Sequence, residues 1–306
     1  MILGIGSINI DNIIHMERWP YHGETYYGKS TTVMCGGKMA NQSAAAARLG
    51  GDVALISMVG ELDHYNDVAL ADLKWANVNT DHVGTMPGEY TGTGYGLVSE
   101  SSQNSFIIIL GANGGVTPEY VESKKHMLEK TDICMAEYMI PMETVEYSLK
   151  LAKQLGKTTI INPSPYVDAS DSMLKNIDYM TLNEVEAAEF CGFEVDSEES
   201  TMEACQCLHK KGVKNAVITL GSRGAFASDG KEHLMVDSYK VNALDTTGAG
   251  DVFNGAMAYA LDSGYDLFTA VRFGNAASSV SVMRVGTMRS SPSREEVQQV
   301  FKLSAK

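Results

Sequence analysis

Short apolar runs rich in β-branched residues alternate along this chain with amphipathic stretches. Met1-Ile2-Leu3-Gly4-Ile5-Gly6, Asp52 to Val59, Ile133 to Ala136, Thr158 to Asn162, Tyr179 to Leu182 and Ala216 to Leu220 read as strands. Between them, apolar positions recur at helical spacing. Val252, Phe253, Ala256, Met257, Ala260 and Leu261 come as adjacent pairs every four residues, the stripe of a helix facing a core, so its N-terminus falls at residues 248 to 251. The alanine-rich run Ser43 to Leu49 predicts a second helix, closed by Gly50-Gly51. This alternation predicts an α/β fold, a central and mostly parallel sheet with helices on both faces. Two segments break it. Asn9 to Val33 and Tyr90 to Leu110 carry Thr, Tyr, Val, Ile and Gly without helical periodicity and predict a small antiparallel sheet. With no repeat, low-complexity tract or long linker, residues 1–306 read as one domain, with these strands inserted at about 9–33 and 90–110.

Composition narrows the class. The 306 residues, 44% of them hydrophobic, suffice for one large core. A net charge of −14 argues against nucleic acid or an anionic membrane surface as partner. No apolar run approaches the ~20 residues of a membrane span, and the first residues lack a charged leader, so a cytoplasmic protein is expected. Five cysteines are an odd count, and Cys205-Gln206-Cys207 has the wrong spacing for a zinc pair, so neither a disulfide nor a zinc framework is expected.

The candidate chemistry lies at Asp245-Thr246-Thr247-Gly248-Ala249-Gly250-Asp251, which opens into the Val252 helix. Amides at a helix start have no partner one turn earlier, and the macrodipole places partial positive charge there. The turn Gly248, Ala249 and Gly250 can therefore cradle an anion such as a transferring phosphate. Asp251 beside it can accept the proton of an attacking hydroxyl, unless it merely caps its helix. Two look-alikes fail on context. Gly23 to Ser30 fits the P-loop spacing, but Trp19-Pro20 precedes it and Thr31-Thr32-Val33 follows, where a strand and a helix are needed. Gly4-Ile5-Gly6-Ser7-Ile8-Asn9 has Asn9 where a dinucleotide fingerprint needs its third glycine.

Together with Gly36-Gly37-Lys38-Met39-Ala40-Asn41-Gln42, the Asp251 segment resembles the ribokinase-like, phosphofructokinase-B-type carbohydrate kinases. The resemblance extends to Gly6-Ser7-Ile8-Asn9-Ile10-Asp11, Asn162-Pro163-Ser164-Pro165, Asn183-Glu184-Val185-Glu186 and Ile218 to Gly224, nearly the whole chain. It implies an ATP- and magnesium-dependent kinase acting on a primary hydroxyl of a sugar, with the inserted strands as a lid that excludes water. It places Asn9, Asp11, Gly36, Gly37, Lys38 and Asn41 on the sugar, where their amides, carboxylate and charge suit a polyol. It places Asn183, Glu186, Thr219, Gly221, Ser222, Gly224 and Asn275 at the nucleotide, Glu186 acting on magnesium through water. A potassium ion would sit near Asp245, Thr247, Ser281, Arg284, Gly286 and Ser290, largely on backbone carbonyls. Apolar lid residues such as Tyr26, Tyr27, Val33, Phe106 and Ile108 predict a homodimer joined through the lids.

The chain departs from the family pattern twice. Met39 stands where the ribose kinases have glycine, which predicts a sugar pocket that is narrower or shaped for a different ring. Met139 stands, aligned on Pro141, where ribokinases have a sugar-contacting glutamate, and Glu137 shares a strand face with it and is the expected substitute. Ribose is the expected substrate. A nucleoside kinase of the same family is the alternative, and a non-catalytic sugar or nucleotide sensor the alternative of another class.

Overall fold

The computed structural model describes residues 1–100 and 104–303. The strands, in chain order, are β1 (Ile2–Ile5), β2 (Asn9–Met16), β3 (Ser30–Gly36), β4 (Val53–Gly60), β5 (Val83–Met86), β6 (Gly92–Ser99), β7 (Asn104–Ile109), β8 (Ile133–Glu137), β9 (Thr158–Asn162), β10 (Tyr179–Asn183), β11 (Asn215–Thr219), β12 (Ala225–Ser228) and β13 (His233–Val236). Nine form one sheet in the order β13-β12-β11-β10-β9-β8-β1-β4-β5. From β11 to β5 every pairing is parallel. The inner strands are near-continuous apolar runs because helices cover both faces, and the core falls into two clusters. The sequence reading missed three strands. β5 is only partly buried, and β12 and β13 close the far edge as an antiparallel hairpin.

The inserted segments form a separate four-stranded sheet, β3-β2-β6-β7. It is not wholly antiparallel, as expected from the sequence: β2–β3 and β6–β7 are antiparallel hairpins, but the inner pair β2–β6 is parallel. Between the two hairpins the chain returns through the large sheet, so both rise from it in the same direction. Residues 101–103 of the predicted lid lie outside the described residues. The lid bears exposed Phe106, Ile107 and Ile109. The P-loop look-alike ends where Ser30 begins β3, with no helix after it.

The first helix runs Lys38–Arg48, five residues earlier than the alanine pattern indicated. Its polar start hid it from a periodicity argument, because Asn41 and Gln42 are buried rather than solvated. This helix packs against Ala249–Asp262, where Gly255 allows an unusually close approach. A Cβ there would lie 2.2 Å from the Gln42 carbonyl oxygen and 2.8 Å from the Ala45 Cβ. No helix among the described residues is long and apolar enough to cross a membrane.

Candidate active site

Close packing of these two helices brings Asp251 against the start of the first. Asn41 Nδ2 donates to Asp251 Oδ2 at 3.0 Å, and Gln42 Nε2 donates to Oδ1 at 3.1 Å. Asp251 does not cap its own helix: the cap position is Gly248, at φ +75°, with no side-chain bond. Burial pushes the Asp251 carboxyl above its ordinary range, and the Glu186 charge adds to this. Lys38 and the two amides work against it. Of the turn amides, Ala249 N–H is already given to the Thr246 carbonyl at 3.2 Å. The N–H groups of Gly250 and Asp251 have no carbonyl one turn earlier, so an anion would be held chiefly by these two rather than by Ala249.

The residues expected at the sugar converge beside Asp251. Gly37, at φ +90°, starts the helix, and a Cβ on it would lie 2.6 Å from the Asn9 nitrogen. Gly36 leaves room for the Asp11 carboxylate, which a Cβ would meet at 1.9 Å. Asp11 is pushed up to about 6, by burial first and by the Asp251 charge second. Asn41 Oδ1 is buried without a partner, an acceptor left for a ligand.

Sequence reasoning missed two contributors here. Asn113, on the 3-10 turn Gly111–Gly115, accepts from Ile8 N–H at 3.0 Å and donates to Asn9 Oδ1 at 2.7 Å. Because a backbone N–H can only donate, this chain fixes the Asn9 amide with its NH2 pointing away from Asn113. The other contributor is the alternation Gly92, Gly94 on β6, paired in register with Asn9 and Asp11 of β2. Cβ atoms there would lie 2.5 Å from Asn9 Oδ1 and 2.3 Å from Asp11 Oδ1, so the two polar side chains lie across β6 where it has none. The glycines were visible as composition, and their period of two was the signal.

Both departures from the family pattern need correction. Met39 is fully buried and turned onto β1 and the residue that follows it, where Cβ atoms on Gly4 and Gly6 would collide with it. It fills the core and does not narrow a sugar pocket. Glu137 is likewise fully buried and ends β8, so Met139 lies beyond the strand and the two do not share a strand face. The Glu137 carboxylate accepts from Ser7 N–H at 2.6 Å and from Met139 N–H, bracing both turns instead of presenting itself to a ligand. Burial pushes it up to about 6 despite those donors. Met139 itself places its Sδ 3.9 Å from Asn9 Nδ2, a weak acceptor at the end of that amide turned away from Asn113.

On the other side of Asp251 opens a cavity of about 690 Å³. Its lining includes Asn183, Thr219, Gly221, Ser222, Gly224 and Asn275, together with Ala249 and Gly250 of the turn. The residues expected at the nucleotide thus share one cavity, except Glu186. Glu186 lies outside the lining in a capping box with Asn183, accepting Asn183 N–H at 2.9 Å and giving its own N–H to Asn183 Oδ1 at 2.8 Å. Asn275 is not a solvated helix-face residue: its Nδ2 donates to the Val236 carbonyl at 3.0 Å.

Of the residues expected around a cation, Asp245 accepts from Thr247 N–H and from Gly286 N–H, both at 2.9 Å, and so ties the two loops together. Arg284 pairs with Glu296, and the Ser281 and Ser290 hydroxyls bond the carbonyls of Ser278 and Thr287. Asp245 is the one carboxylate among these positions; the others could offer a cation only neutral carbonyl and hydroxyl oxygens. No cluster of three metal-ligating side chains occurs among the described residues.

Among known proteins, the model of the pfkB family carbohydrate kinases matches residues 1–294. The chain belongs to this family. The pfkB kinases most similar to it include the ribokinase of Haemophilus influenzae, 36% identical over 292 residues and covered to 95% on both chains. The deoxyribokinase of Salmonella typhi is 31% identical over 301 residues, with 98% of each covered. The structure of Arabidopsis thaliana ribokinase complexed with ribose and ATP superposes with a TM-score of 0.92 at 29% identity, over 98% of both chains. As a pfkB family member of ribokinase type, the chain is a sugar kinase.

Proposed function

We propose that the chain transfers the γ-phosphate of ATP to a primary hydroxyl of a pentose, ribose foremost. The observation that carries this reading is the position of Asp251. It is hydrogen-bonded to Asn41 beside the Gly36-Gly37 turn, and it follows directly on Gly250, which lines the 690 Å³ cavity. One carboxylate thus stands between two sets of residues suited to a polyol and to a nucleotide.

In this reading Asp251 takes the proton of the substrate hydroxyl as its oxygen attacks the γ-phosphorus, and ADP leaves. The Gly250 and Asp251 amides at the helix mouth stabilise the charge that grows on the transferred group. Asp11 and the orphan Asn41 Oδ1 accept other sugar hydroxyls, and Asn9 Nδ2 donates to one. Magnesium would neutralise phosphate charge. The residues fit such an ion only loosely, since one Glu186 oxygen is spent on Asn183, so phosphates and water would supply most of its ligands. Potassium would lie by Asp245. The exposed apolar face of β7 supports a homodimer joined through the lids.

Met139 favours one second reading. A thioether near Asn9 suits a substrate with a less polar substituent at that point, as in a nucleoside. An ATP-dependent phosphorylation screen over pentoses, hexoses, ketoses and nucleosides tests both. Ribose should give the highest kcat/KM. Preference for a nucleoside would establish the second reading, and transfer to none would overturn both.

A further inference from the structure

The motif Asn162-Pro163-Ser164-Pro165 has no part in the reaction as drawn above, and neither has Gln42. Asn162 and Gln42 are buried, and Gln42 bonds both Asn162 and Asp251. The Thr181 carbonyl can only accept, so the group that meets it at 2.9 Å is the Asn162 amide nitrogen. This turns Asn162 Oδ1 the other way, where Gln42 Nε2 donates to it at 3.3 Å. The same nitrogen has a second hydrogen, and Asp251 Oδ1 is 3.1 Å away. A backbone carbonyl on β10 therefore fixes, through a side chain at the end of β9 and another on the Lys38–Arg48 helix, which face of Gln42 the aspartate meets.

We propose that Gln42 and Asn162 form a relay that holds Asp251 in the rotamer and charge state in which it takes the substrate proton. The inference rests on Asp251 being the base. Gln42 is an amide inside an otherwise alanine-rich, fully buried helix face, a place where polar atoms cost stability unless bonded. Its donors are both used, and neither bond serves the core. With Gln42 on Oδ1 and Asn41 on Oδ2, the carboxylate cannot turn without breaking one of them, and each oxygen keeps lone-pair capacity for a hydroxyl. The charges facing Asp251 from its surroundings are mixed. Lys38 on the same helix as Gln42 favours the ionised form, while Glu186 and Asp11 on their own elements disfavour it. The Gln42 donor adds to the Lys38 and Asn41 side of this balance, the side of the carboxylate that a base must be.

Gln42→Met keeps the shape and removes the donors. Expected are a kcat lowered about 10- to 100-fold, KM for ATP and sugar within about threefold, and an acid limb of kcat/KM moved up by about one pH unit. Asn162→Ala should shift both in the same direction by less, and it carries the test if Gln42→Met fails to fold. In an Asp251→Asn background, Gln42→Met should lower the residual rate by no more than about twofold, because both changes act on one proton transfer. A folded Gln42→Met or Asn162→Ala enzyme with native kcat and pH profile would overturn the relay while leaving the base in place. So would a Gln42→Met loss that repeats in full on Asp251→Asn, the mark of a merely structural role. An Asp251→Asn enzyme with native kcat would instead remove the base and the relay together.

Discussion

Asn41 and Asp251 are 210 positions apart in the chain, yet Asn41 Nδ2 lies 3.0 Å from Asp251 Oδ2. The contact joins the helix that begins at the Gly36-Gly37 turn to the helix that opens the large cavity. On the proposed reading, substrate positioning and proton acceptance are therefore mechanically one unit. Loss of either partner should be felt at the other.

Asp251→Asn is expected to fold, to bind ATP and sugar with near-native affinity, and to lose about two or more orders of magnitude in kcat. Isothermal titration with a non-hydrolysable nucleotide and steady-state rates separate the two effects. A near-native kcat would remove Asp251 as base.

The pH response of the ligand-free protein follows from two raised carboxyl groups. Asp11 rises from 3.8 to about 6 and Glu137 from 4.5 to about 6 on folding. Between the lower and upper values the native state holds protons that the unfolded chain has released. Stability from these groups therefore falls as pH rises through that window, and their cost is fully present above about 6. Asp11→Asn should raise Tm by a few degrees at pH 7 and flatten its pH dependence, yet weaken sugar binding at least about tenfold by losing a charged acceptor. An Asn variant that is no more stable than the native protein at pH 7 would contradict the burial cost assigned to Asp11.

Glu137 braces rather than binds, so its removal should register first in stability. Glu137→Ala leaves the buried N–H groups of Ser7 and Met139 without their acceptor. At roughly 1–3 kcal/mol per unsatisfied group, a loss of about 2–6 kcal/mol is expected by chemical denaturation. ATP affinity should hardly change. Unaltered stability with weakened sugar binding would restore Glu137 as a direct ligand.

Gly94→Ala places a methyl 2.3 Å from Asp11 Oδ1 and should raise KM for the sugar about tenfold or more, with KM for ATP within about twofold. An unchanged sugar KM would show that Asp11 need not lie across β6.

For the lid, Ile107→Lys places a charge on a β7 side chain that is 57% exposed in the single chain. If the lids pair, this variant should sediment as a monomer at micromolar concentration where the native protein is a dimer. A native monomer would exclude the lid interface.

Much of this was legible in the sequence for physical reasons. Runs such as Ile133 to Ala136 must be strands buried on both faces, and the Val252 stripe fixed where a helix mouth had to lie. Asn183, Thr219, Gly221, Ser222, Gly224 and Asn275, though not Glu186, line one cavity. What escaped was the burial of polar side chains, even where, as at Asn41, the residue itself was expected at the site. Asn41 and Gln42 broke the apolar period of their helix although they are inside it, and Asn113 looked like any loop residue between glycines. Glu137 was misread because its exposure, not its type, decides whether a carboxylate can meet a ligand. Met39 was misread because nothing in the sequence says that Gly4 and Gly6 open a space on β1.

Gly92, Gly94 and Gly255 have a consequence for how this enzyme can change. None of them offers a functional group, and each holds open a gap that a single carbon would close. Substrate range can drift by exchanging residues beside the polar side chains, such as Met139 next to Asn9, since these alter surface without moving the frame. A change at any of the three glycines instead displaces Asn9, Asp11 or the helix bearing Gln42. Laboratory selection for new sugars should accordingly yield variants at positions such as Met139 and keep all three glycines.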